Sequence, residues 1–530
     1  MSKEGIDCME MTLRTCLSSD AVLDIVTNCR TAFAERRNAG ETIETLNEHV
    51  EIPEAPDEPF PEPRIKVKLN TEVTKFAYKT MAMKLSEASE VLDDRIDEFM
   101  GLVQTQYSLE DSAFGNPTCQ STNEIIAVGR IASDTNEGKP NAASLVLETS
   151  RRSGSGLRVP LRVEMLREYD FFPGMIVALR GTNASGDFFA VTEVLKMPLL
   201  PLPASSAAEL LEHQRRVCPQ MEEENDSDSK EAPETGPSGR PLNVLIGSGP
   251  YTSDTDLSFE PLQALLDRAV ETAADALFLI GPFLDVEHPL VSSGSFPPFP
   301  PSAKIDPDIA DLPAVFRALI SHPLHLLTQQ NPSITIFIIP STRDAVAHHV
   351  SWPQRKLPKN MLGLPKQAIV LTNPITLSLN ETVIGVTGAD VLDEIRRSEC
   401  VGGVARQNNL FARLPKLVIQ QRHFFPVYPP SERTVLPSLG ATAGNKATGP
   451  KKDGDQDTVM KDSTEGSSKE TDLDADSDLP RYSMGASLDV SYLKLGDWLN
   501  VRPDILILPS VLTPFTKVYT NLPSPSSLIL

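Results

Sequence analysis

The chain is poor in the residues from which cross-linked or metal-stapled domains are built. Its 530 residues hold 6 cysteines, Cys8, Cys16, Cys29, Cys119, Cys218 and Cys400, far apart and with no C-x-x-C pair. That spacing signals neither a disulfide framework nor a zinc site and fits a reducing compartment. Aromatic residues are scarce at 6%, and 49 lysines and arginines face 72 acids, for a net charge of −23. Such a surplus repels a phosphate backbone, which excludes tight, autonomous DNA binding as the default. No run reaches the roughly 18 apolar residues of a membrane span, and MSKEGIDCME offers neither a basic nor an apolar leader, so no membrane partner is expected. A G-x-S-x-G elbow is also missing, and IGSGP at Ile246 lacks the Lys-Ser/Thr pair of a phosphate cradle.

What is present divides the chain by composition. At about 150 residues per domain, the length suits three or so units. Within residues 1–75, Val22, Ile25, Val26, Cys29 and Phe33 fall at helical spacing and predict one or two short helices. The proline- and glutamate-rich EIPEAPDEPFPEPR follows as a partly disordered linker. A second linker, 219–240, contains the acidic MEEENDSDSKE, and a stretch rich in Gly, Ser, Thr, Lys and Asp over about 437–480 reads as a disordered insertion.

Two folded regions remain, 76–218 and 241–530. In the first, Met81, Leu85, Leu92, Ile96, Phe99 and Val103 mark one face of a helix starting near Tyr78. Five β-patterned runs follow, EIIAVGRIAS, ASLVLET, LRVPLRV, GMIVALRGT and DFFAVTEVL. With their turn-rich spacers they predict a partly open Greek-key barrel of the oligonucleotide-binding (OB) type. Arg130, Arg158, Arg162, Arg180, Phe188 and Phe189 are candidates for a binding face; the plainer alternative makes the phenylalanines core and the arginines a solvated rim. In the second region NVLIGS, ALFLIG, SITIFII, QAIVLT and TVIGVTG alternate with helical patterns, and FARLPKLVIQQRH continues as a helix. That rhythm predicts a layered α/β domain, and with the barrel an α+β chain.

The strand ends carry the functional signal. NVLIGSGPYT, ALFLIGPFLD, ITIFIIPSTRD and DILILPSVL each run from an apolar strand into a turn, so their ends should line one crevice. Together with RHFFPVYPP from Arg422, and FFPGMIVALRGTNASGDFFAVTEV from Phe171, they resemble the B-subunit family of the replicative DNA polymerases, most nearly its polymerase alpha-primase branch. The resemblance covers about residues 76–512. It implies an OB domain followed by a calcineurin-like phosphoesterase domain that has lost its metal site.

Active phosphoesterases of that type carry D-x-H, G-D-x-x-D, G-N-H-D and G-H-x-H at these strand ends. Matched motif by motif, the first Asp and His fall on Ser248 and Pro250, and the bridging Asp on Pro282. The Asn and His of the third motif fall on Thr342 and Arg343, and the last two histidines on Ser510 and Leu512. Proline and leucine cannot ligate a cation, and an arginine repels one. Asp285 and Asp344 survive at supporting positions, and Arg343 is expected to sit among these carboxylates; the alternative is a loosely paired surface arginine.

The family therefore implies a non-enzymatic scaffold with no cofactor or metal of its own. Its implied partners are the zinc-bearing C-terminal region of the polymerase alpha catalytic subunit and the primase subunits, with DNA contact weak or indirect. It also implies a nuclear address, because GPKKDG near Lys451 is too weak a signal by itself. Two alternatives stand beside this reading. One is a B subunit of polymerase delta or epsilon. The other is a working metal-dependent phosphoesterase or nuclease drawing on His288, His322, His325, His348 and His349. Finally, LTPFTKVYTNLPSPSSLIL lacks the glycine-rich segment of the family's last strands, and an uncovered sheet edge after ILPS is expected.

Overall fold

A computed structural model describes residues 60–201, 242–430 and 487–519 apart from short breaks, together with strands Leu13–Thr15 and Ser527–Ile529. The N-terminal helices, the 219–240 linker, the 437–480 insertion, Met81, His348 and His349 lie outside the described residues. Among the described residues two short strands come first, β1 (Leu13–Thr15) and β2 (Val67–Leu69), and both find partners in the layered domain.

Helix α1 (Leu85–Tyr107) starts where the Lys84 backbone N–H donates to the Glu87 carboxylate at 2.9 Å, and ends at Ser108 in the left-handed region. It buries Leu92, Ile96, Phe99 and Val103, but Leu85 is 90% exposed. The apolar face is thus shorter than the sequence pattern suggested. Three of the buried residues, Ile96, Phe99 and Val103, lie against the outward side chains Ile126, Val128, Ile176 and Ala178 of the barrel.

The barrel strands are β3 (Ser121–Ser133), β4 (Leu145–Glu148), β5 (Arg158–Arg162), β7 (Ile176–Asn183) and β8 (Phe189–Leu195), with β6 (Tyr169–Phe171) as a spur outside them. They close in the order β3-β4-β5-β8-β7, where the sequence suggested a partly open barrel. Closure has two causes. The long β3 pairs with both β4 and β7, and β5 meets β8 in parallel at Leu161↔Phe189. Along β3 the alternation is strict: Ala127 and Ile131 point into the barrel with Leu147, Leu161, Leu179 and Phe189, while Ile126 and Val128 face α1.

In the layered domain, β9 (Leu242–Ser248), α2 (Glu260–Glu271) and β10 (Ala276–Ile280) are followed by a helix in three pieces. These are α3 (Leu312–Phe316), a π turn over Arg317–Ser321, and α4 (His322–Gln330). Pro323, which has no N–H to give to the ladder, lies just beyond the π turn. Then come β11 (Thr335–Ile339), β12 (Ser351–Trp352), β13 (Ala368–Val370), β14 (Ile375–Leu379) and β15 (Thr382–Val386). After α5 (Val391–Ser398), β16 (Cys400–Gly402) and α6 (Leu410–Gln421), the described chain resumes with β17 (Ser487–Leu488), β18 (Ile505–Ile507), β19 (Lys517–Tyr519) and β20 (Ser527–Ile529).

Two sheets result, β1-β9-β10-β11-β13 and β19-β20-β18-β15-β14-β2. Alternate residues of both fill one core: Phe278, Ile280, Phe337 and Ile339 from the first meet Ile375, Leu377, Ile384 and Ile507 from the second. Phe278 and Phe337 stack across neighbouring strands at 4.5 Å, a pair contributing about 0.5–1.5 kcal/mol beyond its buried area. The intervening Leu277, Leu279, Ile336 and Ile338 face Leu262, Leu266, Phe316 and Leu324 of the helices. The order is helices, sheet, sheet; the sequence rhythm predicted a layered α/β domain without the second sheet.

Two sequence expectations need correcting. Residues 62–75, read as the end of a linker, are part of the layered domain: β2 pairs with β14, Ile65 is buried, and Arg64 bonds Asp275 at 3.1 Å. Prolines before Arg64 masked a short strand. The sheet also does not end bare at β18, because β20 runs parallel to it and β19 pairs in turn with β20. SLI and KVY supply enough β pattern without the family's glycine-rich segment.

Candidate functional site

Because β9, β10 and β11 are parallel and in register at Ser248, Ile280 and Ile339, their turns open on one side and form a crevice. Ser248 and Thr342 are half-buried, Pro282 is buried and Pro250 exposed; both Gly–Pro bonds here are cis. Tyr251 closes the floor, its hydroxyl donating between the carbonyls of Gly247 (2.8 Å) and Ile280 (3.0 Å). Pro250 and Pro282 bring no side-chain ligand atom to the crevice.

Arg343 lies among carboxylates. Its guanidinium grips Asp285 through Nε at 3.1 Å and a second, shorter Nη2 contact, and the same Nη2 is 2.8 Å from Glu287 Oε2. With side-chain exposures of 24% for Arg343 and 7% for Asp285, this is a buried-to-half-buried ion triad rather than a surface pair. Asp344 does not join it. Its carboxylate accepts from the backbone N–H groups of Phe283 and Ser341 (2.8 Å for the latter) and ties the β10 turn to the β11 turn. Complete burial and the nearby negative Asp285 push Asp344 up to about 7, against the pull of those N–H donors. Asp285 and Asp344 face each other as an isolated antiparallel bridge.

The fourth motif lies beside α5. Ser510 accepts from Leu512 N at 3.2 Å, and Val511 N donates to Asp390 Oδ2 at 2.8 Å. Ser510 and Leu512 are thereby held at the start of α5, and Leu512 packs on the core that runs into the barrel. Among the described residues no group of three or more His, Cys, Asp or Glu is disposed to hold a metal ion.

The histidines have other work. His288 caps the short helix Pro289–Ser293 by accepting from Leu290 N, and its Nε2 lies 2.8 Å from Ser253 O. His325 bonds Gly363 O at 3.0 Å, and His322 is exposed at the start of α4, inside the long helix and not at its end. On the barrel, Phe189 is fully buried and Arg130 is 5% exposed, its guanidinium on Glu148 at 2.9 Å. Arg158, Arg162 and Arg180 pair with Glu148, Glu164 and Glu193, and Arg162 also covers Phe188 at 5.2 Å. Four arginines share three glutamates here, Glu148 serving both Arg130 and Arg158, so the proposed binding face carries little net charge.

A buried polar network joins the barrel to the layered domain, within one compact unit. Fully buried Gln421, the last residue of α6, accepts from Ile176 N at 2.8 Å and donates to Ile176 O at 2.9 Å, filling a strand's place beside β7. Arg95 of α1 donates to Gln421 O at 2.8 Å and to Asp497 at 3.0 Å. Arg422 donates to Pro198 O at 3.1 Å. His423 donates through Nε2 to Leu493 O and accepts at Nδ1 from Phe425 N, both at 2.9 Å; burial keeps it neutral by holding its pKa well below the usual value.

Tyr428 N donates to Pro173 O at 3.0 Å, and Arg130 lies over the Tyr428 ring at 5.3 Å. Gly174, at φ +95°, permits this approach, since a Cβ there would meet Tyr428 N at 2.3 Å and Pro426 O at 2.6 Å. The spur β6 pairs with β16, and a single apolar core runs from the barrel interior through Trp352, Leu414, Leu417, Phe424 and Phe425. Sequence reasoning recognised RHFFPVYPP as a marker without a role and missed Arg95, Gln421 and Glu287. The first two gave no signal, being one arginine on a charged helix and one glutamine of a pair. Glu287 stood two residues beyond Asp285.

These features agree with what the chain is similar to. Residues 244–517 match the family of DNA polymerase alpha/epsilon B subunits, and residues 89–197 match the OB domain of the DNA polymerase alpha B subunit. The DNA polymerase alpha B subunits of Saccharomyces cerevisiae and Schizosaccharomyces pombe are 33% identical (91% of this chain, 63% of the relative) and 31% identical (97% and 76%). Their Bos taurus counterpart is 28% identical over 67% of this chain and 52% of its own length. The chain therefore spans a little under two thirds of the budding-yeast relative, 63%, and about half of the bovine one. With an OB barrel welded to a layered α/β domain and both halves matched, the chain belongs to the DNA polymerase alpha/epsilon B-subunit family.

Proposed function

We propose that the chain is the non-catalytic B subunit of a DNA polymerase alpha-primase assembly, holding the polymerase catalytic subunit and primase together for primer synthesis. The observation that carries this is Arg343 bonded to Asp285 and Glu287 at strand ends where a phosphoesterase would hold cations. A guanidinium in that place supplies fixed positive charge without Lewis acidity or a bound hydroxide. The barrel and layered domain, joined through a shared core, present one rigid surface to the C-terminal region of the catalytic subunit. Any zinc in the complex belongs to that partner, and the chain acts in the nucleus. Contact with DNA is weak or indirect, in keeping with the glutamate-paired arginines of the barrel.

Co-expression tests the reading. Tagged chain should retain both the polymerase alpha catalytic subunit and primase through gel filtration. Retention of a delta or epsilon catalytic subunit instead, or of neither, would overturn it.

A further inference from the structure

One basic region has no part in the crevice or the domain seam. Between Asp344 and Glu381 the sequence contains no acid but holds Arg355, Lys356, Lys359 and Lys366, in a chain of net charge −23. A cleft of about 480 Å³ lies here, its lining including Lys356, Lys359, Pro358, Met361 and Val370. Val370 belongs to β13, the last strand of its sheet. The ammonium of Lys359 caps that edge, donating to the carbonyls of Lys366 at 3.0 Å and Ala368 at 2.6 Å. Lys356 and Lys366 are exposed. Asp311, at the start of α3, is 3.8 Å from Arg317, whose guanidinium also donates to Met361 O at 2.7 Å.

We propose that this cleft docks an extended acidic peptide of a partner protein, with carboxylates on Lys356 and Lys359 of its lining and on exposed Lys366 beyond it, whose carbonyl Lys359 holds, and apolar side chains against Pro358, Met361 and Val370. Charge complementarity selects an anion. The lining selects its class: it has apolar contact area but no aromatic ring on which a nucleobase could stack. A long polyanion also meets the repulsion of the whole acidic surface, whereas a short peptide with few charges is screened from it beyond about 10 Å at moderate salt. Because Lys359 already holds the edge carbonyls, recognition goes through side chains and not through an added strand.

The test uses the full chain and three labelled probes read by fluorescence anisotropy. They are a synthetic peptide of alternating Asp and Leu, the same peptide with Asn for Asp, and oligo-dT. Saturable binding of the Asp peptide is expected, weakened about tenfold in the double variant Lys356→Glu, Lys366→Glu, whose lost pairs are exposed and individually modest. An unchanged melting temperature will show that the variant is folded. Equal binding of the Asn peptide, tighter binding of oligo-dT that the variant loses, or no saturable binding of the Asp peptide would each overturn the proposal.

Discussion

The strand-end crevice and the seam between the domains are both built around arginines, one half-buried and one buried, yet they use them in opposite ways. In the crevice, Arg343 closes a site on itself: its partners Asp285 and Glu287 lie within one turn, and Asp344 turns away to backbone N–H groups. Across the seam, Arg95 and Gln421 connect residues hundreds of positions apart, from α1 to α6 to Asp497 and on to β7. In the crevice the arginine is a local fastening. Across the seam the polar bonds make two domains into one.

The largest effect should therefore come from the seam. Arg95→Ala leaves Asp497 and the Gln421 carbonyl without their donor, and urea unfolding should show a loss of about 3–5 kcal/mol. Asp497→Leu added to that variant should recover part of it, since the orphaned charge is gone. A loss below about 1 kcal/mol would remove the seam from the comparison.

Arg343→Ala should cost somewhat less, about 2–4 kcal/mol, because the guanidinium retains some solvent while Asp285 is nearly enclosed. Asp285→Asn in the same chain should restore much of it. If the single variant is neutral, Arg343 is a loosely paired surface residue and the crevice is less ordered than the seam in every respect.

The pH dependence of the crevice comes next. Asp344 has a folded pKa pushed up to about 7, above its ordinary value of 3.8, so its protonated form favours folding. That contribution is complete below about pH 4 and is lost as pH rises through 7, amounting to about 2–3 kcal/mol between pH 5 and 8. Asp497 in the seam, pushed up to about 6, acts in the same direction over a lower window. Asp344→Asn should flatten the stability profile between about pH 4 and 7 while leaving the part above pH 7; an unchanged slope would show that the backbone donors hold Asp344 ionised throughout.

The smallest effect is expected on the barrel. Arg180→Ala breaks a pair with exposures of 38% and 54%, and thermal melting should register less than about 1 kcal/mol with no change in affinity for oligo-dT. A large loss of affinity would make the barrel, and not the seam, the functional region.

How much of this was legible in the sequence follows the same division. Strands β9, β10 and β11 announced themselves as apolar runs because they are buried on both faces, and the five barrel runs because turn residues separate them. The Arg343–Asp285 pair was visible because both residues stand at motif positions of parallel strand ends. Glu287 was not, since its approach depends on the path of the β10 turn. Strand β2 was hidden by flanking prolines and by its partner β14, more than 300 residues away, as the bonds from Thr71 and Asn70 to Thr376 and Ser378 show. Gln421 was hidden for a more general reason. A side-chain amide imitating a strand leaves no periodicity, and only the tertiary fold places it beside Ile176.

The most direct measurement is a titration of the purified chain with Mn²⁺ by calorimetry, paired with an assay for hydrolysis of a model phosphodiester. If the crevice is a fastening, there will be no stoichiometric Mn²⁺ uptake and no hydrolysis above buffer, in the parent chain and in Asp285→Asn alike. Stoichiometric binding with metal-dependent hydrolysis that Asp285→Asn abolishes would contradict it, and would restore the crevice as the working site of the molecule.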